Sequence, residues 1–306
     1  MTGEAGGRLA ALLAEGEFAV TGEITPPVSG SGVSVTDHAR ALVGYVDAVN
    51  VTDNPTASAH MSPVAGSRFV HDAGIEPTVQ ITVRDRNRLA VTADLLGAWS
   101  MGARNLLCLS GDPRHIGDDP GAPVVADLDV IGLVGLAKRL REDGTTAGGK
   151  AVADPPRFFI GVAEMPLTDP YDPRRLEQKL EAGADFVMTQ IAYDVEALAA
   201  WADRIRPNGV FDRAKVLIGV TPLKSVKQAA FMREKLPGVL IPDAVVSALA
   251  EAGADAAEAG LALTIEVVRG ILQIPGVAGV HLMGMGDDAT VRKVVTGAGL
   301  FPRPVR

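Results

Sequence analysis

Gly22-Glu23-Ile24-Thr25-Pro26-Pro27 closes the first apolar run of the chain, residues 18–24. Two successive prolines fix φ and remove two amide donors, so a strand must stop there and the loop after it is stiff. The run leaves a carboxylate, Glu23, at the end of a strand and beside a rigid loop. The same strand-then-helix unit recurs about eight times, which predicts a (β/α)8 barrel, a fold that carries its chemistry at the C-terminal ends of its strands. Glu23 is then a candidate acid or base.

Short Val- and Ile-rich runs mark strands at 18–24, 48–52, 78–83, 105–110, 158–163, 186–191, 216–221 and 280–285. Helical periodicity fills the gaps, as at 88–101, 128–142, 173–182 and 197–205. Gly74, Gly102 and Gly183 stand where helices must turn left-handed before the next strand. The Gly-, Ala- and Pro-rich stretch 143–156 predicts an exposed connection before strand five. Both 242–254 and 256–274 read as helical, predicting an extra helix between strands seven and eight. The whole, 1–306, reads as one domain. No Gly-x-Gly-x-x-Gly follows the first strand, so an open dinucleotide-binding sheet is the weaker alternative.

The 306 residues carry a net charge of −8 and a pI near 5.2, which argues against a nucleic-acid footprint. Backbone amides and a few local cations still allow an anionic ligand. Cys108 is the single cysteine and sits among leucines, which predicts a buried structural thiol and excludes an internal disulfide. The five histidines are scattered without metal-ligand spacing. No apolar stretch approaches the roughly 18 residues of a membrane span, and no leader pattern opens the chain, so the expected place is the cytoplasm. Alanine-rich segments 197–201 and 244–250 are candidate faces for a homo-oligomer.

A barrel places Glu23, Thr52-Asp53-Asn54, Gln80, Thr82, Ser110-Gly111-Asp112, Glu164, Gln190, Thr221 and His281 at its strand ends, a polar ring with few cations. Gly111 allows close approach of a planar ligand, and Asp112 offers an acceptor for one edge of it. Gln190 offers donors and acceptors suited to a heterocycle, or to backbone groups at the barrel mouth. Lys224 is the one lysine near a strand end placed to form a Schiff base, though a solvated lysine is the commoner reading.

In their order, Glu23-Ile24-Thr25-Pro26-Pro27, Val51-Thr52-Asp53-Asn54, Leu109-Ser110-Gly111-Asp112, Gly183 to Gln190, Val216 to Leu223 and Gly279-Val280-His281 resemble the methylenetetrahydrofolate reductase family. The resemblance runs from about Phe18 to Pro304. It implies a flavin-containing barrel in which NAD(P)H reduces FAD, or FMN in its place, and the flavin passes hydride to 5,10-methylenetetrahydrofolate. It implies catalytic roles for Glu23, as proton donor, and for Asp112, beside flavin and pterin. By the same resemblance Gln190 binds the pterin, Thr52, Gln80 and Gly111 lie along the flavin ring, and Asp172 and Lys179 hold its tail. The chain departs from the common bacterial pattern at Gln80, where a histidine is usual, and at Ser110, where an arginine is. Ala163-Glu164-Met165-Pro166, Ile191-Ala192-Tyr193 and the residues after His281 also replace aromatic positions. These changes resemble a divergent branch of one-carbon and acetogenic metabolism, whose members use FMN or need a partner subunit. Two alternatives stand beside it: a flavin-free pterin-binding transferase or lyase, and a partner-dependent subunit of a reductase complex.

Overall fold

The structure, a computed structural model, describes residues 6–125 and 127–303; the ends of the expected 1–306 domain, and Pro304, lie outside the described residues. Eight parallel strands close into a barrel in chain order. They are β1 (Ala19–Ile24), β2 (Ala48–Val51), β3 (Glu76–Thr82), β4 (Asn105–Leu109), β5 (Phe159–Glu164), β6 (Phe186–Ile191), β7 (Lys215–Val220) and β8 (Val277–Leu282). Around them lie α1 (Arg8–Ala14), α2 (Val33–Leu42), α3 (Pro63–Asp72), α4 (Arg88–Ser100), α5 (Val130–Glu142) and α6 (Arg174–Ala182). The ring continues with α7 (Val195–Ile205), α8 (Val210–Arg213), α9 (Val226–Lys235), α10 (Asp243–Ala252), α11 (Ala256–Ile271) and α12 (Asp288–Gly297). No helix among the described residues is long and apolar enough to cross a membrane.

Side-chain alternation along each strand sorts the core into two parts. Val20, Val49, Val79, Ile81, Leu106, Cys108, Ile160, Val187, Ile218 and Val280 point outward and are buried under the helices. Ala19, Ala48, Leu107, Phe186, Met188 and Leu217 point inward and pack on Leu9, Leu12 and Leu13 of α1, which plugs the N-terminal end of the lumen. Gly161 is required by this filling, because a Cβ there would stand 2.1 Å from the Phe186 ring. Burial pushes the Cys108 thiol up, as suits a structural cysteine on the outward face.

The helix-ending glycines fall as expected, with φ of +94° at Gly74, +101° at Gly102 and +119° at Gly183. Helices leaving the mouth begin on side-chain caps: Asn87 for α4, Asp129 for α5, Asp194 for α7, Ser225 for α9 and Asp287 for α12. Between β7 and β8 stand three helices, α9 to α11, so the return is longer than the single extra helix expected. The connection before β5 is mostly exposed and pinned by an antiparallel bridge between Thr145 and Ala151. Trp201 of α7 is turned into the core, 4% exposed, so that part of the 197–201 face is not outward.

Candidate active site

The lumen-facing residues nearest the C-terminal strand ends are Glu23, Thr52, Gln80, Leu109, Ala163 and His281, set by the same alternation that fills the core, while Gln190 lies in the irregular end of β6 between Met188 and Ile191. Glu23 is the one acid among them. Its Oε2 lies 3.6 Å from Nε2 of His281, with side chains 20% and 4% exposed. The other imidazole nitrogen, Nδ1, is 2.9 Å from the hydroxyl of Thr21, which also reaches the Val280 carbonyl at 3.4 Å. The imidazole thus stands between the Thr21 hydroxyl on its Nδ1 side and the Glu23 carboxyl on its Nε2 side.

Thr52 is buried and donates to Thr25 Oγ1 at 3.2 Å, joining β2 to the loop after β1. Gln80 is 7% exposed, and no hydrogen bond to its side chain is made among the described residues. Gln190 lies across the mouth but is engaged: its Oε1 accepts from Ile191 N at 2.9 Å and its Nε2 donates to the Pro237 carbonyl at 3.1 Å. Asp112 is exposed, and its Oδ2 accepts from Thr56 N at 2.7 Å, tying the loop after β4 to the loop after β2. Gly111 has φ +85°. Glu23, Thr52 and Gln80 are therefore brought together, while Gln190 and Asp112 stand at the rim with backbone partners.

Asp172 and Lys179 line one cavity of about 340 Å³ between β4, β5 and α6, with Ser110, Tyr171 and Arg175. Lys179 Nζ donates to the Ala163 carbonyl at 2.6 Å and to Glu164 Oε2 at 2.9 Å. Glu164 thus points outward to α6 and not into the mouth ring in which the sequence placed it, since it has the opposite parity from Ala163. Asp172 is clasped by Arg174, whose hydrogen bonds hold the carboxyl at about 2. Lys224 is paired with Asp287 at 2.9 Å.

The expectation of few cations fails at the end of β3. Asp53, with its side chain fully buried, receives Arg86 through two bonds of 2.6 and 3.0 Å, and its Oδ2 also accepts from Thr82 N and Oγ1 at 2.7 and 3.0 Å. Arg86 Nε donates to Asp94 of α4 at 2.7 Å. Burial works against the Arg86 charge, but Asp53 and Asp94 outweigh it and raise the guanidinium above its ordinary value. Arg84 grips Asp85 through both Nε and Nη2, and donates to the carbonyls of Asp112 and Asn54 at 3.1 and 3.4 Å. A guanidinium therefore reaches Gly111-Asp112 from β3 although position 110 is serine. The signal for both was the run Arg84-Asp85-Arg86-Asn87-Arg88 directly after the third strand. Among the described residues no group of three metal-ligating side chains is gathered.

Residues 8–299 match the family model described as methylenetetrahydrofolate reductase. Methylenetetrahydrofolate reductase 1 of Schizosaccharomyces pombe is 24% identical over 304 residues, covering 91% of this chain and 45% of that protein. Methylenetetrahydrofolate reductase (NADH) 1 of Arabidopsis thaliana is 23% identical over 305 residues, covering 96% and 50%. The chain spans about half the length of these curated relatives. Among solved structures, an uncharacterized protein of Clostridium thermocellum that binds two copies of 5-methyl-5,6,7,8-tetrahydrofolic acid superposes with a TM-score of 0.63 at 15% identity. That alignment covers 95% of this chain and 98% of the other, and it shows a shared fold.

Proposed function

The chain belongs to the methylenetetrahydrofolate reductase family, and on that premise we propose that it reduces 5,10-methylenetetrahydrofolate to 5-methyltetrahydrofolate with NAD(P)H and a flavin, Glu23 being the proton donor. The observation that supports this reading best is Glu23, the one acid among the lumen-facing residues named above, half-buried and facing a histidine nitrogen rather than a guanidinium. Opening the substrate's five-membered ring requires a proton on the departing nitrogen, and a positioned carboxylic acid supplies it. His281 keeps Glu23 oriented across the β1–β8 seam, and Thr21 keeps the imidazole oriented in turn. Gln80, unengaged and nearly buried, offers both a donor and an acceptor to a heterocycle lying over the lumen.

The residues present fit a flavin. The ring would rest over Thr52, Gln80 and the small Ala163, and its tail would run into the cavity between β4 and β5 toward Ser110, Arg175 and Lys179. A bound flavin would carry hydride from reduced nicotinamide to the methylene carbon. For Asp112 and Gln190 to read the pterin, they would exchange their present backbone partners, Thr56 N and the Pro237 carbonyl, for the ligand. One observation favours a flavin-free pterin enzyme as the second reading: the tail-binding cation Lys179 is already neutralised by Glu164.

The test is an anaerobic visible spectrum of the purified protein before and after NADH, followed by assay of 5-methyltetrahydrofolate. A flavin band that bleaches with NADH and recovers with methylenetetrahydrofolate is the expected result. A flavin band that NADH leaves untouched points to another donor or a missing partner subunit. A colourless protein that takes up no added flavin overturns the flavin reading.

A further inference from the structure

Glu23 heads a row of polar side chains that descends through the barrel. Strand register pairs Glu23 with Asn50, Asn50 with Thr78, and Thr78 with Asn105 across β1 to β4. All four share lumen-facing parity. Asn50 Nδ2 reaches the Met188 sulfur of β6 at 3.1 Å, and Asn105 Nδ2 donates to Glu76 Oε1 at 2.8 Å. Neighbouring strands stand about 4.8 Å apart, so successive members of the row are neighbours.

Asn50, Thr78 and Asn105 are each 0% exposed. Asn50 Oδ1, Thr78 Oγ1 and Asn105 Oδ1 have no hydrogen-bond partner among the described residues, and they are three of only six such buried atoms. An unpaired buried acceptor is costly, and buried waters are held by groups of this kind. At the lower end Glu76 accepts from the amides of Arg8 and Leu9 at 2.6 and 3.1 Å. It borders an open cavity of about 530 Å³ on the N-terminal face, beside His71 and Arg104.

We propose that a file of ordered waters runs along Asn50, Thr78 and Asn105 from Glu23 to that cavity, and that it returns protons to Glu23. The second half rests on the reading of Glu23 as proton donor. A flat cofactor and a pterin over the mouth would shut Glu23 off from solvent above, while each turnover consumes its proton. In the file, the uppermost water gives one proton to the Glu23 carboxylate and takes one from the water below. The succession ends with one proton drawn from solvent in the lower cavity, and no electrons move.

Two measurements test it. A crystal structure fine enough to show waters should place them within hydrogen-bond reach of Asn50 Oδ1 and Thr78 Oγ1; a dry row overturns the file, whatever the protein catalyses. Thr78→Val removes the hydroxyl and keeps the volume. It should slow folate reduction about tenfold, less than the 10²–10⁴ lost with the general acid itself, with KM unchanged and a larger solvent deuterium isotope effect on kcat. Donor-driven reduction of the bound flavin should keep its rate, and Thr78→Ser should restore folate reduction. Wild-type turnover and isotope effect in Thr78→Val overturn the proton-return role. If the chain reduces no folate, the proposed function fails, and the density alone still decides whether the file exists.

Discussion

Nε2 of His281 stands 3.6 Å from Oε2 of Glu23, while Nδ1 of the same ring meets the hydroxyl of Thr21 at 2.9 Å. Carboxylate, imidazole and hydroxyl belong to adjacent strands β1 and β8, so closure of the barrel assembles the contact. The two half-reactions of the proposed enzyme differ in their need for it, because only folate reduction requires a proton from the protein.

Glu23→Gln keeps the shape and the hydrogen-bonding capacity of the side chain but cannot donate the proton. Reduction of the bound flavin by NADH should proceed at close to the wild-type rate. Methylenetetrahydrofolate reduction should fall by about 10²–10⁴, the usual contribution of a general acid. Stopped-flow measurement of each half-reaction separates the two. Equal loss of both would make Glu23 a structural residue.

Asp53 and Arg86 form the buried ion pair that fastens the end of β2 to the end of β3, with side chains 0% and 13% exposed. Asp53→Asn leaves the guanidinium buried with Asp94 as its remaining carboxylate. Breaking one partner of a buried pair costs about 3–5 kcal/mol, and the surviving Asp94 contact puts the expected loss near 3 kcal/mol. Urea denaturation checks it. A loss below about 1 kcal/mol, the scale of an exposed pair, would show that water reaches this network.

Much of this frame is legible before any coordinates. Pro26-Pro27 mark where β1 must end, and the helix-ending glycines at 74, 102 and 183 mark where three strands begin. The site was less legible, because strand parity decides which way a polar residue points. Glu164 follows Ala163 by one position and so faces α6 and Lys179, not the mouth. Asp112 and Gln190 stand at the expected strand ends, but a sequence does not say that Thr56 N and the Pro237 carbonyl occupy them. Arg84 and Arg86 were readable as cations following the third strand; their partners, Asp112 and Asp53, come from other loops and become neighbours only in the closed barrel.

Asp287 joins the loop after β8 to Lys224 after β7 and caps α12 through Thr290. Burial raises its carboxyl, but hydrogen bonds from Thr290 and Lys224 outweigh that and hold it at about 2, below the ordinary 3.8. A depressed folded value means stability that is fully present above the unfolded value and lost as pH falls through the folded one. The gap in Tm between wild type and Asp287→Asn should be constant from about pH 5 upward and about half gone near pH 3. A gap that does not change with pH would mean that the carboxylate charge contributes nothing to the latch.

Lys179 and Glu164, 2.9 Å apart with side chains 12% and 8% exposed, decide how the cavity beside β5 treats a phosphate. In the free protein the ammonium is neutralised and held by a carboxylate and the Ala163 carbonyl. On the proposed placement of the flavin tail, its phosphate would share that cation with Glu164, whose like charge would oppose it at short range. Glu164→Gln keeps a hydrogen bond to Lys179 and removes the repulsion, so flavin affinity should rise, by about tenfold if the relief is near 1.4 kcal/mol. Lys179→Met should lower it by at least as much. Titration of the flavin-free protein with FMN and FAD, followed by flavin fluorescence, measures both. Opposite shifts in the two variants place the phosphate in this cavity. Unchanged affinity in both would put the flavin tail elsewhere and leave the pair a structural tie between β5 and α6.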